Sequence, residues 1–295
     1  MTLIETVSSG KIAIQASDRL VSLKHQPYDE WANKTVLFTA IDAIVVMSYT
    51  GDAYVGDEPT DVFIARTLNG GRLPTTSDGR LGVCVRRAPK EWPTLNEAIA
   101  AVGSRLAQGY ASNGRTHSVN LKIYGIGWRR TERKGHQDRI VFEIKRPNPA
   151  SYGVAWHPPL GRKGMFILPS MTLDPEEVKL LLRDLEAVRT RTKPIDLLEG
   201  IEYSVVASIK RVAKRHPNVI GEDCVAVTIP PLGDVRIRYH PRDPTASEMR
   251  LVPDPMGPNA PLEFKALAHS GMIELPMWYS PWIVGPELVH PPTNM

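Results

Sequence analysis

Stretches with the alternation of a β-strand arrive two at a time along this chain, and so do stretches with helical periodicity. Residues 3–7 and 11–16 are short apolar runs rich in β-branched side chains, joined by Ser8-Ser9-Gly10, which reads as a hairpin turn. Residues 34–47 are dense in Val, Ile, Phe and Thr, with Asp42-Ala43 as the expected turn of a second hairpin, and residues 48–52 follow with Gly51 as a bend. Two helices come next. The first covers Thr60–Leu68 and stops at Asn69-Gly70-Gly71, a C-cap signal. The second covers residues 94–110, where Thr94 and Glu97 are spaced as a capping box and Leu95, Ile99, Val102 and Leu106 fall on one face. Strands resume over 118–128 and 140–144, with a polar loop between them, and 147–163 reads as loop. A short strand at 165–168 precedes two more helices. One spans 174–190, with Pro175 in its first turn, and the other spans 195–215; a final hairpin follows over Cys224–Ile229 and 234–239. Strands in hairpins and helices in pairs exclude βαβ alternation. They predict an α+β chain of antiparallel sheets with helices in separate layers.

The size suits one large domain or two ordinary ones, since the chain has 295 residues. The 42% hydrophobic and 23% charged content excludes wholesale disorder. A net charge of +4 comes from interspersed signs, so it predicts no nucleic-acid partner. Apolar runs fall short of the roughly 18–20 residues that span a bilayer, and the N-terminal stretch lacks the pattern of a secretory signal. Cys84 and Cys224 are the two cysteines, too few for a disulfide framework or a zinc quartet, and they predict a reducing cytoplasm. The last 55 residues hold 11 of the 26 prolines together with Trp278, Tyr279, Trp282 and Ile283. The division expected is therefore a domain over 2–240 and an irregular Pro-rich arm over 241–295, packed on the domain or on a neighbouring subunit. The aromatic residues among those prolines predict a homo-oligomer, either a dimer or a ring.

The residues that carry chemistry stand at the start. Thr2 is small, so removal of Met1 would leave it as the mature N-terminus, with a hydroxyl nucleophile and a free α-amine on one residue. An α-amine with an ordinary pKa of about 7.7–8.0 is a usable base near neutrality, and this is one established way to activate a weak hydroxyl. Such a site needs a cation to tune the amine and an acid to hold that cation. Lys34 and Asp18 are the candidates, Asp18 at the end of the second strand and Lys34 at the start of the third.

The segment 2–34 resembles the beginning of mature proteasome β-subunits and related bacterial self-compartmentalising proteases, which are N-terminal nucleophile (Ntn) hydrolases. That family pattern is a leading Thr, a hairpin ending in an apolar-apolar-Ala-Ala-Asp run, and a Lys opening the next strand. Here it reads Thr2-Leu3-Ile4, then Ile12-Ala13-Ile14-Gln15-Ala16-Ser17-Asp18, then Asn33-Lys34-Thr35-Val36, with the separations matched without a gap. The resemblance implies a four-layer αββα sandwich over about 2–240 and a threonine-type hydrolase of amide or peptide bonds. Thr2, Asp18 and Lys34 would be its catalytic residues. It places the oxyanion-hole amide in the bend at Tyr49, Thr50 and Gly51, and implies supporting roles for Arg19 and Ser170. No cofactor or metal is implied. The substrate would be a peptide or protein, and an ATPase unfoldase is a partner by family analogy. The acid motif departs from the family, with Asp18-Arg19-Leu20 shifting the arginine by one place, and Arg215 to Gly221 is a degenerate counterpart of the supporting motif. A catalytically silent subunit with a binding or assembly role, or a small-molecule amidase or acylase of the same superfamily, are the alternative readings. His157 and His216 read as loop histidines, Cys224 as a buried small hydrophobe, and the basic run 129–136 as a solvated turn.

Overall fold

The computed structural model describes residues 2–9, 12–23, 26–29, 32–71, 84–85, 92–112, 121–131, 137–148, 151–157, 165–191, 197–231, 235–240, 242 and 282–284. Among these, the chain forms β1 (Ile4–Ser9), β2 (Ile12–Asp18), β3 (Val21–Leu23), β4 (Gln26–Asp29), β5 (Thr35–Thr39), β6 (Ala43–Thr50), β7 (Tyr54–Val55), β8 (Glu58–Pro59), α1 (Thr60–Leu68), β9 (Cys84–Val85) and α2 (Leu95–Ser112). There follow β10 (Lys122–Arg130), β11 (Gln137–Asn148), β12 (Ser151–His157), β13 (Phe166–Pro169), α3 (Pro175–Arg191), α4 (Leu197–Arg215), β14 (Cys224–Ile229), β15 (Arg236–His240) and β16 (Trp282–Val284).

Two sheets dominate. The first has the order β13-β1-β2-β14-β15, and the second β12-β11-β10-β6-β5-β16-β9. The first is antiparallel throughout. Side chains alternate across its strands as the pleat requires. On one face Leu3, Val7, Ile12, Ile14 and Ala16 pack on Leu181, Leu185, Ile201, Val205 and Ile209 of α3 and α4. On the other, Ala13, Val225, Val227 and Ile237 meet Leu37, Val46, Ile126 and Val141 of the second sheet. The outer face of the second sheet buries Phe38, Val45, Met47 and Phe142 against Phe63, Ile64, Leu95, Ile99 and Leu106 of α1 and α2. Two polar contacts cross between the sheets: Trp128 Nε1 donates to the Ile229 carbonyl at 2.9 Å, and Gln15 Nε2 to the Tyr124 carbonyl at 3.0 Å.

The helix ends follow their sequence signals. Thr94 N donates to Glu97 Oε2 at 2.8 Å and Glu97 N donates to Thr94 Oγ1 at 3.3 Å, a reciprocal capping box. Gly70 and Gly71 close α1 with φ of 68° and 90°, a backbone state that side chains with a Cβ disfavour. Gly127 is demanded by packing instead: a Cβ there would sit 1.9 Å from the Ile44 carbonyl oxygen.

Three expectations are corrected. The stretch read as loop over 147–163 contains β12, an edge strand paired with β11; its Trp156 lies on Phe142 with ring centroids 5.3 Å apart, a contact between strands that local composition does not reveal. The turn of the second hairpin centres one residue earlier than Asp42-Ala43, because Ala40 N donates to the Ala43 carbonyl at 2.7 Å. The second sheet is antiparallel only as far as β5. Beyond it, β16 from the Pro-rich arm lies parallel between β5 and β9, so the arm expected to be irregular forms a strand at 282–284. Trp278 and Tyr279, the basic run 132–136 and the rest of the arm except Arg242 lie outside the described residues.

Candidate active site

The hairpin β1–β2 brings Thr2 beside Asp18. Asp18 N donates to the Leu3 carbonyl at 3.2 Å, and Leu3 N returns a bond to Asp18 Oδ1 at 2.7 Å. Asp18 Oδ2 accepts from Leu20 N at 3.0 Å, from Gly221 N at 3.1 Å and from Lys34 Nζ at 3.1 Å. The carboxylate is fully buried, and these donors together replace the water it lost. Gly221 has little room for anything larger: a Cβ would meet Leu20 Cβ at 2.9 Å and Leu20 N at 3.1 Å. A side chain there would push away the amide that holds the acid.

Lys34 sits just before β5 and is 2% exposed. Its ammonium donates to Asp18 and to the Leu20 carbonyl, so among the described residues two of its three N–H groups have protein partners. Burial holds its pKa below the usual lysine range, with the Asp18 charge opposing that shift. Next to it runs a chain of buried hydroxyls, Ser17 Oγ to Thr35 Oγ1 at 3.0 Å and Thr35 Oγ1 to Ser48 Oγ at 2.9 Å.

Thr2 itself is buried and pinned by its backbone. Its carbonyl accepts from Ser170 Oγ at 2.9 Å and from Thr50 Oγ1 at 3.0 Å, and its nitrogen donates to Thr50 Oγ1 at 3.2 Å. Ser170 also accepts from Ile4 N at 2.8 Å and donates its own N–H to the Ile4 carbonyl at 2.8 Å. The structure therefore brings Thr2, Asp18, Lys34, Thr50 and Ser170 together: Thr2 and Lys34 just before β1 and β5, Asp18 and Thr50 at the ends of β2 and β6, and Ser170 just after β13. In the bend, Tyr49 N is donated to the Lys34 carbonyl at 3.1 Å, which takes that amide out of any oxyanion hole. Gly51 is exposed with φ of 103°. Arg19 is buried, with Nε 3.4 Å from the Ala32 carbonyl and its guanidinium 5.6 Å from the Tyr239 ring. His157 instead pairs with Glu143 at 3.0 Å, on the second sheet.

Two contributors escape sequence reading, and a third, Gly221, is reached only as the end of the degenerate supporting motif. The hydroxyl of Thr50 holds both backbone atoms of Thr2, although only its backbone had a reason to matter. The Gly221 amide and the Leu20 carbonyl complete the surroundings of Asp18 and Lys34. A backbone group has no residue-type signature, and Gly221 is 203 positions from its acceptor. Among the described residues no three His, Cys, Asp or Glu side chains are grouped to hold a metal ion, and no helix is long and apolar enough to cross a membrane.

The fold has counterparts among solved structures. A mutant of Anbu from Hyphomicrobium sp. strain MC1 aligns over 85% of this chain and 90% of its own, at 13% identity and a TM-score of 0.52. The chain shares its fold with Anbu. Another Anbu structure from the same strain aligns over 80% of this chain and 86% of its own, at 12% identity and a TM-score of 0.50. Anbu from Yersinia bercovieri, described as an ancestral beta-subunit, aligns over 77% and 81% at 12% identity and a TM-score of 0.47. Helices and largely antiparallel sheets make up that shared frame. No family model matches the sequence, and no curated protein matches it.

Proposed function

We propose that this chain is a threonine-type Ntn hydrolase that cleaves amide bonds in peptides, working in a four-layer αββα sandwich after Met1 is removed. One observation carries the reading: a buried Lys34–Asp18 ion pair at 3.1 Å lies beside a Thr2 whose backbone is clamped by Ser170 and Thr50. A buried ion pair is a poor source of stability, so its position beside a candidate nucleophile is better explained by chemistry. In this mechanism the freed Thr2 amine takes the hydroxyl proton. Oγ attacks the carbonyl carbon, and the amine then delivers that proton to the leaving nitrogen as the C–N bond breaks. Water repeats the sequence on the ester to release the acid. Lys34, its ammonium held by Asp18, favours the neutral amine and the developing alkoxide. The Gly51 amide is the proposed oxyanion donor, since Tyr49 N is taken; such a donor contributes roughly 2.7–4 kcal/mol in other enzymes. Peptides or proteins are the proposed substrates, with an ATPase unfoldase as the proposed partner and the cytoplasm as the setting. Assembly with further copies of the chain belongs to the same proposal, supported by Val154 and Trp156, which are 38% and 45% exposed on the edge strand β12.

Intact mass tests the first step, and an epoxyketone directed at N-terminal threonine tests the second. Loss of Met1 and a stoichiometric adduct on Thr2 are expected; retained Met1 refutes the mechanism. A catalytically silent subunit is the second reading. It is favoured by the engagement of Tyr49 N with Lys34 and of Thr2 N with Thr50, and an adduct on Thr2 that is absent from Lys34→Met excludes it.

A further inference from the structure

The strand that begins directly after Lys34, β5, is held on its far side by the C-terminal arm. β16 runs parallel to β5 with Trp282 opposite Val36, Ile283 opposite Leu37 and Val284 opposite Phe38. Val284 is fully buried in the core between α1, α2 and the second sheet, and Trp282 packs against that core. Without β16, β5 would be separated from β9 and would carry a row of unpaired backbone groups next to the site.

A second linkage runs through side chains. Trp282 Nε1 donates to Asp61 Oδ2 at 2.8 Å, and Asn33 Nδ2 donates to the same oxygen at 3.1 Å. Asp61 lies in the first turn of α1 and is 8% exposed. It is a buried acceptor that needs those donors. Asn33 also accepts from Thr35 N at 3.2 Å through Oδ1, a turn that closes around Lys34 and fixes its backbone. The Lys34 carbonyl in turn takes Tyr49 N at 3.1 Å. Indole, carboxylate and amide thus form a connected line from the arm to the residue immediately before Lys34.

We propose that β16 is a latch on the candidate site: Trp282, Asp61 and Asn33 are positioning residues that set the backbone of Lys34, and the C-terminal arm completes the site from 220 or more positions away in sequence. This rests on the hydrolase reading for its effect on chemistry, while the latch itself stands on geometry. None of the three residues touches Thr2 in the contacts described. They act through Lys34.

The test uses the full chain and three variants. Trp282→Phe keeps the apolar bulk and removes the donor. Asp61→Leu removes the acceptor. Asp61→Asn is the conservative control, because both donors converge on one oxygen that an amide oxygen can replace. Hydrogen exchange is read at the Leu37 amide, which the alternation of β5 turns toward β16, and at the Tyr49 amide; epoxyketone labelling is read as rate and as final stoichiometry. For Trp282→Phe and Asp61→Leu we expect faster exchange at these amides. The maximal labelling rate should fall about tenfold or more, with one label per chain still reached. Asp61→Asn should stay near the wild type in both. A structural defect alone would lower the stoichiometry instead of the rate. Unchanged exchange at these amides in Trp282→Phe overturns the latch. Full-rate labelling with faster exchange overturns the link to Lys34. If the wild-type chain takes no label, the hydrolase reading fails, and exchange at Tyr49 still decides whether the arm positions Lys34.

Discussion

Glu5 stands three residues after Thr2, on the face of β1 that packs against α3 and α4, and it is completely buried. Ser208 Oγ lies 2.7 Å from Glu5 Oε1 and 3.1 Å from Glu177 Oε1. A hydroxyl has one proton, so it satisfies one carboxylate, and the other contact needs a proton on a carboxyl group. Glu177 has its own counter-charges, Arg211 at 2.8 Å and Arg215 at 2.6 Å. Glu5 has none at that distance, and its Oε2 has no partner among the described residues. Burial pushes the Glu5 carboxyl up to about 8 from 4.5, with the Ser208 bond opposing and the Glu177 charge adding. A protonated Glu5 fits this geometry at neutral pH. An acid whose pKa is raised on folding binds a proton in the native state that the unfolded state releases. Stability therefore falls as pH rises from about 4.5 to about 8. At pH 7 the elapsed interval is about 2.5 units, worth about 3 kcal/mol at roughly 1.36 kcal/mol per unit. Glu5→Gln keeps the shape and removes the titration. We expect it to match the wild type near pH 4.5 and to exceed it by about 3 kcal/mol at pH 7, from urea unfolding at unit steps of pH. A stability difference between the two that does not change with pH would refute the protonated Glu5.

Lys34→Met leaves the Asp18 carboxylate buried without its counter-charge and should cost about 3–5 kcal/mol in urea unfolding. Adding Asp18→Asn removes the unpaired charge but turns an NH2 toward a buried backbone N–H, since both Asp18 oxygens accept such bonds; it should recover only part of that stability, with labelling at Thr2 still absent. Thr50→Val removes the hydroxyl shared by Thr2 N and Thr2 O at nearly constant volume. It should cost about 1–3 kcal/mol, read as a lowered urea midpoint.

Much of the frame is written in local spacing. The hairpin 2–18, the capping box at Thr94 and Glu97, the glycines that end α1 and the helical faces of α2 and α4 depend on neighbours a few positions apart. Periodicity and turn chemistry report such neighbours directly. The juxtaposition of Thr2 and Asp18 belongs here as well, because a hairpin of that length returns the chain to its start. Ser170 was reached through resemblance, and its contact with Thr2 spans 168 positions. Tertiary structure decided the rest. Thr50 reaches Thr2 only because the two sheets stack, and Gly221 reaches Asp18 only because β14 lies beside β2. Tyr49 surrenders its amide to Lys34 because the pairing of β5 with β6 continues past Thr35 and Ser48. β12 and β16 were hidden for a related reason. A short strand holds its shape through hydrogen bonds to another strand, and for β16 that strand is more than 200 residues away, so its own residues carry little sign of the pairing.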